Sequence, residues 1–525
     1  MKIRYKYQAA LLLFAFFALN GCTKKFESYN TDSTGLTSSQ FQIGSLFPPI
    51  ETSIFGEENA YQLDQNLNAD CYSGYMMSPD PFRGNLNNLS YSLVDGWDVQ
   101  PFSDAYTLCM GPLNYLVSVN VPTTNPDFWG VALILKVYIM DRLTDKFGPI
   151  ALSKVGLSPI STPYDDQDSV YNEFFAALDT ATANLQTYIT ANPSKKPFAA
   201  FDLVYGGDYA QWIKFANSLR LRLAMHIVKV APATAQAQAV KALAATGGLL
   251  SVPADDAGVS GGGYHNPLFV ISTAWTDISL GAPVAAFMNG YNDPRLPQYA
   301  MPATAPASIA GQYVGIRIGS TITAKPGYNG YSILNTTSAV GTAEPMKMMT
   351  AAEVWFLRSE AALRGWTSES AQTDYETGVQ TSMTQWGVSI GNYLSDATSV
   401  PTGYTDPSNS ANNSPAVSTI TIAWDPAATN EVQLERIITQ KWIAMFPEGQ
   451  EAWTEFRRTG YPKLFTVVNN NSNGVISTTT QIRRLAYPSI EYSTNLAAVT
   501  AAVTALGGPD NGGTRLWWDL NQGNF

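Results

Sequence analysis

Apolar residues recur along this chain at helical rather than strand spacing. Val170, Phe174, Leu178, Ala181 and Leu185 form one stripe, and Trp212, Phe215, Leu219, Leu223 and Ile227 form another. The span Asp127 to Phe147 is apolar on nearly all sides, which predicts a buried helix stopped by Gly148-Pro149. Asp165, Asp166 and Asp168 precede the first stripe, where negative charge suits a helix N-terminus. Thr350 and Glu353 have capping-box spacing ahead of a helix from Val354 to Leu363, ending near Gly365. Glu431 to Phe446 and Glu451 to Thr459 read as two further helices, stopped by Pro447 and Gly460.

Three long polar or glycine-rich stretches interrupt the helices: Asp255 to Gly263, Thr398 to Ser418 and Asn469 to Thr480. Loops of this length in a packed protein are usually functional or mobile. Aromatic residues make up 12% of the chain, and many fall outside the stripes. Tyr72, Tyr75, Phe82, Tyr91 and Trp97 precede the first strong helix; Tyr264, Trp275 and Tyr291 follow a glycine run. The expected fold is mainly α, with helix pairs as scaffold, long irregular aromatic-rich loops and minor β-hairpins.

The N-terminus reads as a targeting signal. Lys2, Arg4 and Lys6 precede an apolar run of eleven residues, Ala9 to Leu19. That is too short to span a bilayer, which takes roughly 20 helical residues, but it suits a signal peptide. The run ends in Leu19-Asn20-Gly21-Cys22, which resembles a bacterial lipobox. Residues 1–21 are therefore expected to be removed, Cys22 to carry lipid, residues 22–36 to act as tether, and residues 37–525 to form a single binding domain. An ordinary secretory signal with Cys22 incidental is the plainer alternative.

Charge narrows the partners. Net charge is −11, which argues against nucleic acid or an anionic lipid surface. Hydrophobic residues at 45% and charged ones at 14% place the chain among globular proteins. Cys71 and Cys109 could pair in an oxidising compartment or remain buried thiols.

Several segments resemble the SusD/RagB family, and they occur in family order. They are Asp141-Arg142-Leu143 with Phe147-Gly148-Pro149-Ile150, Asp202 to Asp208 running into Trp212 to Met225, and Asp293 to Pro297. Later come Ala352 to Leu357, Glu360 to Trp366, Gln440 to Phe446, Glu451-Ala452-Trp453, Arg457 to Pro462, Arg483-Arg484-Leu485, Tyr487-Pro488, Glu491 and Asn495. The resemblance implies tetratricopeptide-like helix pairs supporting an irregular ligand-facing region. It implies a nutrient-binding outer-membrane lipoprotein partnered with a SusC-like TonB-dependent transporter, over which it closes as a lid. Starch is part of the family label, and no residue here singles it out.

Enzymatic chemistry finds little support. Only two histidines exist; His226 lies in a helix stripe and His265 in an aromatic loop, without a triad. Neither zinc spacing, an EF-hand calcium loop nor a P-loop occurs. No cofactor is expected. Asp255-Asp256 is the one pair that could serve a glycoside hydrolase.

Binding asks less. Flat aromatic rings bury the apolar faces of sugars, while amides and guanidinium groups meet their hydroxyls. Trp97 and Trp275 sit among Gly, Asp, Thr and Ser, where no stripe claims them. They are the central ligand-binding candidates, with Tyr91, Tyr264, Arg83 and Asn85 in support. Trp212, Trp355 and Trp442 are expected in the core. An oligosaccharide is the expected ligand, with peptide as the alternative.

Overall fold

The stripes become helices that pack in hairpins. In a computed structural model, which describes residues 42–158 and 161–525, α1 (Pro126–Phe147) packs on α2 (Gln167–Ala191), α3 (Tyr209–His226) on α4 (Pro232–Leu243), and α5 (Ala351–Leu363) on α6 (Ala371–Gln385). The α3 helix also packs on α2 and α5, and α5 on α7 (Asn430–Ala444), so the hairpins stack side by side. The short α8 (Gly449–Thr459) packs on the helical segment Gln62–Asp70 and touches α1 and α3. Residues 46–525 form one compact unit.

The boundaries follow local chemistry. Gly148 (φ 99°) and Gly460 (φ 79°) end α1 and α8 in backbone conformations that L-residues avoid. Asp208 caps α3 by accepting from the backbone N–H groups of Ala210 and Gln211. Thr350 caps α5, but Glu353 does not complete a capping box. Its carboxylate instead takes both Arg222 Nε (2.8 Å) and Nη2 (2.6 Å) in the core.

Strands are minor, two short antiparallel pairs among the described residues. Met76–Met77 pairs with Ser279–Leu280, and Ala257–Val259 with Met346–Met349. The first pair joins the loop before Trp97 to the loop after Trp275. The second turns part of the glycine-rich stretch, expected to be irregular, into sheet.

The scaffold is held by buried charge as well as apolar packing. Arg458 meets Glu360 at 2.6 Å and Glu455 at 2.7 Å, joining α5 to α8. His226 lies between Glu451 (3.1 Å), Asp145 (3.5 Å) and Asp141 (3.8 Å), joining α1, α3 and α8. These groups recur in the family-like segments, and their work is internal. Removing one partner from such a pair strands a charge, at a cost of about 3–5 kcal/mol. Among the described residues no helix is long and apolar enough to cross a membrane.

Candidate functional site

A strained loop opens the site. Arg83 (φ 53°), Gly84 (φ 65°) and Asn85 (φ 67°) run consecutively through left-handed backbone, which costs each non-glycine residue about 1–2 kcal/mol. Two contacts hold it. The Asn85 side chain donates to the Ile322 carbonyl and accepts from the Ile322 N–H, each at 3.0 Å. Ser90 Oγ donates to the Asn85 carbonyl at 2.6 Å. Asn85 is thus a positioning residue whose amide is already used. The Arg83 guanidinium is exposed and makes no hydrogen bond or ion pair.

Trp97 lies beside this loop, with Phe82 edge-on to its ring at a centroid distance of 5.9 Å. It is half-buried and sits in the first turn of a helix, Asp95–Asp104, rather than in a loop as expected. That helix carries no apolar stripe of its own, so periodicity does not announce it.

Lys325 connects Trp97's neighbourhood to Trp275. Its ammonium donates to the Trp275 carbonyl at 2.7 Å, pairs with Asp277, and meets Asp80 at 3.2 Å. Trp275 is half-buried, immediately after the helix Pro267–Thr273. Asp277 also accepts from Gln62 at 3.0 Å. In the short helix just before Gln62, Glu58–Tyr61, Glu58 meets His265 at 3.1 Å, and Tyr264 donates to the Gly56 carbonyl at 3.0 Å. Contacts and short stretches of chain together connect Trp97, Phe82, Arg83, Trp275, His265 and Tyr264, residues far apart in sequence.

Tyr91 does not join them. It is 2% exposed, packs edge-on to Tyr72, and its hydroxyl points to Gln481. Its left-handed backbone (φ 62°) turns the ring into the core. Tyr72, Tyr75 and Tyr291 are buried too, so the count of loop aromatics overstates the exposed ones. Trp355 departs the other way. It is half-buried, with Arg358 stacked 3.9 Å over its ring and its indole N–H donated to Ser251. Trp212 and Trp442 are buried as expected. Phe82 and Lys325 were legible only as residue types. Nothing local in the sequence joins Lys325 to residues 245 positions earlier, at Asp80.

The acidic pair is occupied. Asp255 takes Lys214 at 2.7 Å and the Ser251 N–H at 2.9 Å. Burial works against its charge, but Lys214 and the backbone donors prevail and hold its pKa at about 2. Asp256 accepts from the Ala351 N–H at 2.8 Å, at the start of α5. Burial raises its pKa to about 6, against the nearby Lys347 charge. Both carboxylates serve as backbone caps.

Among the described residues two buried groups bring enough ligand atoms together to suit a metal: Asp141, Asp145 and His226, and His226, Glu451 and Glu455. Protein cations already fill that role in the second group. Lys441 lies 3.6 Å from Glu451 and 3.4 Å from Glu455, and Arg222 lies 3.7 Å from Glu451. Cys71 and Cys109 are separate buried thiols. Cys22 and the signal and tether segments lie outside the described residues.

Comparison with known proteins places this geometry. A family model described as SusD-like, Susd and RagB outer membrane lipoprotein, matches residues 26–519. Among solved structures, a chitin-binding SusD homolog from Flavobacterium johnsoniae is 43% identical, with a TM-score of 0.88 over 92% of this chain and 100% of that one. A SusD homolog from Bacteroides vulgatus is 39% identical, with a TM-score of 0.87 over 92% and 98% of the two chains. A SusD-like protein from Bacteroides thetaiotaomicron is 33% identical, with a TM-score of 0.86 over 92% and 99%. A search of curated protein sequences finds no match. With most of its length matched by the family model and its fold shared with these homologues, the chain belongs to the SusD-like family of outer-membrane lipoproteins.

Proposed function

We propose that this protein captures a glycan at the cell surface, held to the outer membrane by lipid on Cys22, and hands it to a TonB-dependent transporter. Chitin-type oligomers of N-acetylglucosamine are the first ligand to try, because a relative 43% identical is a chitin-binding protein. The observation that carries the reading is the pairing of two half-buried indoles with an unpartnered guanidinium. Trp97 and Trp275 are joined through Lys325, which meets Asp80, and the chain from Asp80 to Phe82, and Arg83 stands free on the loop that follows.

The chemistry suits a sugar chain. Indole faces cover the apolar C–H surface of pyranose rings with little loss of side-chain freedom. Arg83 offers donors to hydroxyl or acetamide oxygens, and having no internal partner it gives up none on binding. Family members bind their ligands rather than transform them, and the occupied carboxylates Asp255 and Asp256 agree with that role. Calorimetric titration of the mature protein with chitohexaose tests the reading. Saturable binding that weakens on loss of Trp97 supports it; absence of binding to chitin, starch and other neutral oligosaccharides sinks it.

A further inference from the structure

Two helix hairpins turn around a cavity that shares no residue with the Trp97 and Trp275 region. It opens, at about 780 Å³, between the residues joining α3 to α4, the end of α5 and the segment 522–525. No Asp or Glu lines it. In a chain of net charge −11 its wall instead carries two cations, Lys229 and Arg364.

Of the two, Lys229 is uncommitted. The Arg364 guanidinium meets Glu360 at 2.8 Å and donates to the Asn524 carbonyl at 2.9 Å. Among the described residues Lys229 forms no ion pair. Its ammonium donates to the Gln522 carbonyl at 3.1 Å, and the Gln522 amide returns a bond of 3.1 Å to the Lys229 carbonyl. Burial above all, with the Arg458 and Arg364 charges, lowers its pKa to about 8 from 10.5, against Asp519 and Glu431. The ammonium is thus fixed in place where its charge is poorly compensated, and an anion beside it would restore the balance. The α4 helix points the same way. It begins at Pro232 on the cavity wall, with no side-chain cap and no acidic residue in its first turn. Its first N–H groups and its dipole favour negative charge there.

The rest of the wall suits a hydroxylated ring better than a bare ion. Trp366 is half-buried, and its indole N–H makes no hydrogen bond. An indole offers a flat face to C–H surface and one donor at its edge. Asn524 is 7% exposed and donates its amide hydrogens to Glu431 at 2.6 Å and to the Thr459 carbonyl at 3.1 Å, which leaves its buried Oδ1 without a donor. A ligand hydroxyl would supply that donor, whereas a bare anion would be repelled by it. The volume is that of a small-molecule site.

We propose that this cavity is a second binding site, for a sugar ring bearing one negative group, with that group on Lys229 and the α4 N-terminus and the ring against Trp366. The negative group is a carboxylate or a sulfate ester, which present the same charge to the same donors. The test is an NMR titration of the mature protein with glucuronate, glucose 6-sulfate, glucose and inorganic sulfate. Saturable binding of glucuronate or glucose 6-sulfate is expected, at least tenfold tighter than that of glucose or sulfate, and the tighter of the two names the group. Equal binding of glucose would overturn the role of charge, equal binding of sulfate would overturn the sugar, and no binding of either charged sugar would overturn the site. Lys229→Gln keeps a donor for the Gln522 carbonyl and removes the charge, so it should weaken the charged sugar at least tenfold with an unchanged melting temperature. Trp366→Ala, which touches no ion pair, should weaken it as well and reads the same site if Lys229→Gln does not fold. Undiminished binding by either folded variant would overturn the proposal. Trp97→Ala should leave glucuronate binding intact and Lys229→Gln should leave chitohexaose binding intact, so failure of one site is distinguishable from failure of the other; loss of both ligands in either variant would mean a single site and overturn the second.

Discussion

Asn85 and Ile322 exchange two hydrogen bonds of 3.0 Å across 237 positions of sequence, the amide side chain of one clasping the backbone of the other. The clasp holds Arg83 and Asn85 in left-handed backbone beside Trp97. Asn85→Ala should lose both bonds and place alanine at φ 67°, a destabilisation of roughly 2 kcal/mol or more. Urea unfolding reads the loss of stability, and titration with chitohexaose reads binding by the folded variant. Lost binding at unchanged stability would make Asn85 a ligand contact instead.

Trp97→Ala and Trp275→Ala should each weaken glycan binding more than tenfold, since truncating a central aromatic typically costs about 2 kcal/mol and a decade is about 1.4 kcal/mol. Their melting temperatures should move little, because both rings are only half-buried. Trp442→Ala should do the reverse, losing about 3–5 kcal/mol of stability through a core cavity. Trp442 is 1% exposed and is the proper control, whereas Trp355 is capped by Arg358 at the surface. Early unfolding of the Trp97 and Trp275 variants, with normal binding by what survives, would return those rings to the core.

His226 gives stability a defined pH dependence. Burial works against its charge, but Glu451, Asp145 and Asp141 outweigh it and raise its pKa to about 9 from 6.5. A histidine raised in the folded state stabilises fully below its unfolded pKa and loses that contribution as pH rises through the folded one. Unfolding free energy should therefore fall between pH 6.5 and 9, by at most about 3.4 kcal/mol at 1.36 kcal/mol per unit. His226→Gln should be less stable at pH 6 and should flatten the profile in that window. A profile equally steep without His226 would assign the dependence elsewhere.

Chitohexaose incubated with the protein should remain intact by chromatography. Asp255 holds Lys214 and Asp256 caps α5, so neither is free to act on a glycosidic bond. Release of shorter oligomers that disappears in Asp255→Asn would restore the hydrolase reading.

Mass spectrometry of the mature N-terminus should find a lipid-modified Cys22. A Cys22→Ala variant should leave the membrane fraction, because each buried CH₂ of a lipid chain contributes about 0.8 kcal/mol and the described helices offer no membrane span. An unmodified N-terminus elsewhere in the chain would remove the anchor from the model of capture.

Helices that carry both a stripe and a stop could be read from the chain alone. Val170 to Leu185 lies within α2, Trp212 to Leu223 within α3, and Gly148 and Gly460 end α1 and α8. Periodicity, caps and glycines are local, and local signals survive without a fold. Family identity was legible for a related reason, since helix-ending and core-pairing residues recur in fixed order. Which side chains remain for a ligand emerges only once the chain is folded. Tyr91 and Trp97 stand six positions apart among similar residues, yet one is 2% exposed in the core and the other half-buried beside Phe82. Asn85 reads as a sugar-binding amide until Ile322 consumes it, and Lys325 reads as a surface charge until Asp80, Asp277 and the Trp275 carbonyl converge on it. Burial and hydrogen-bond partners are set by segments hundreds of residues away, and no window on the sequence contains both halves of such a contact.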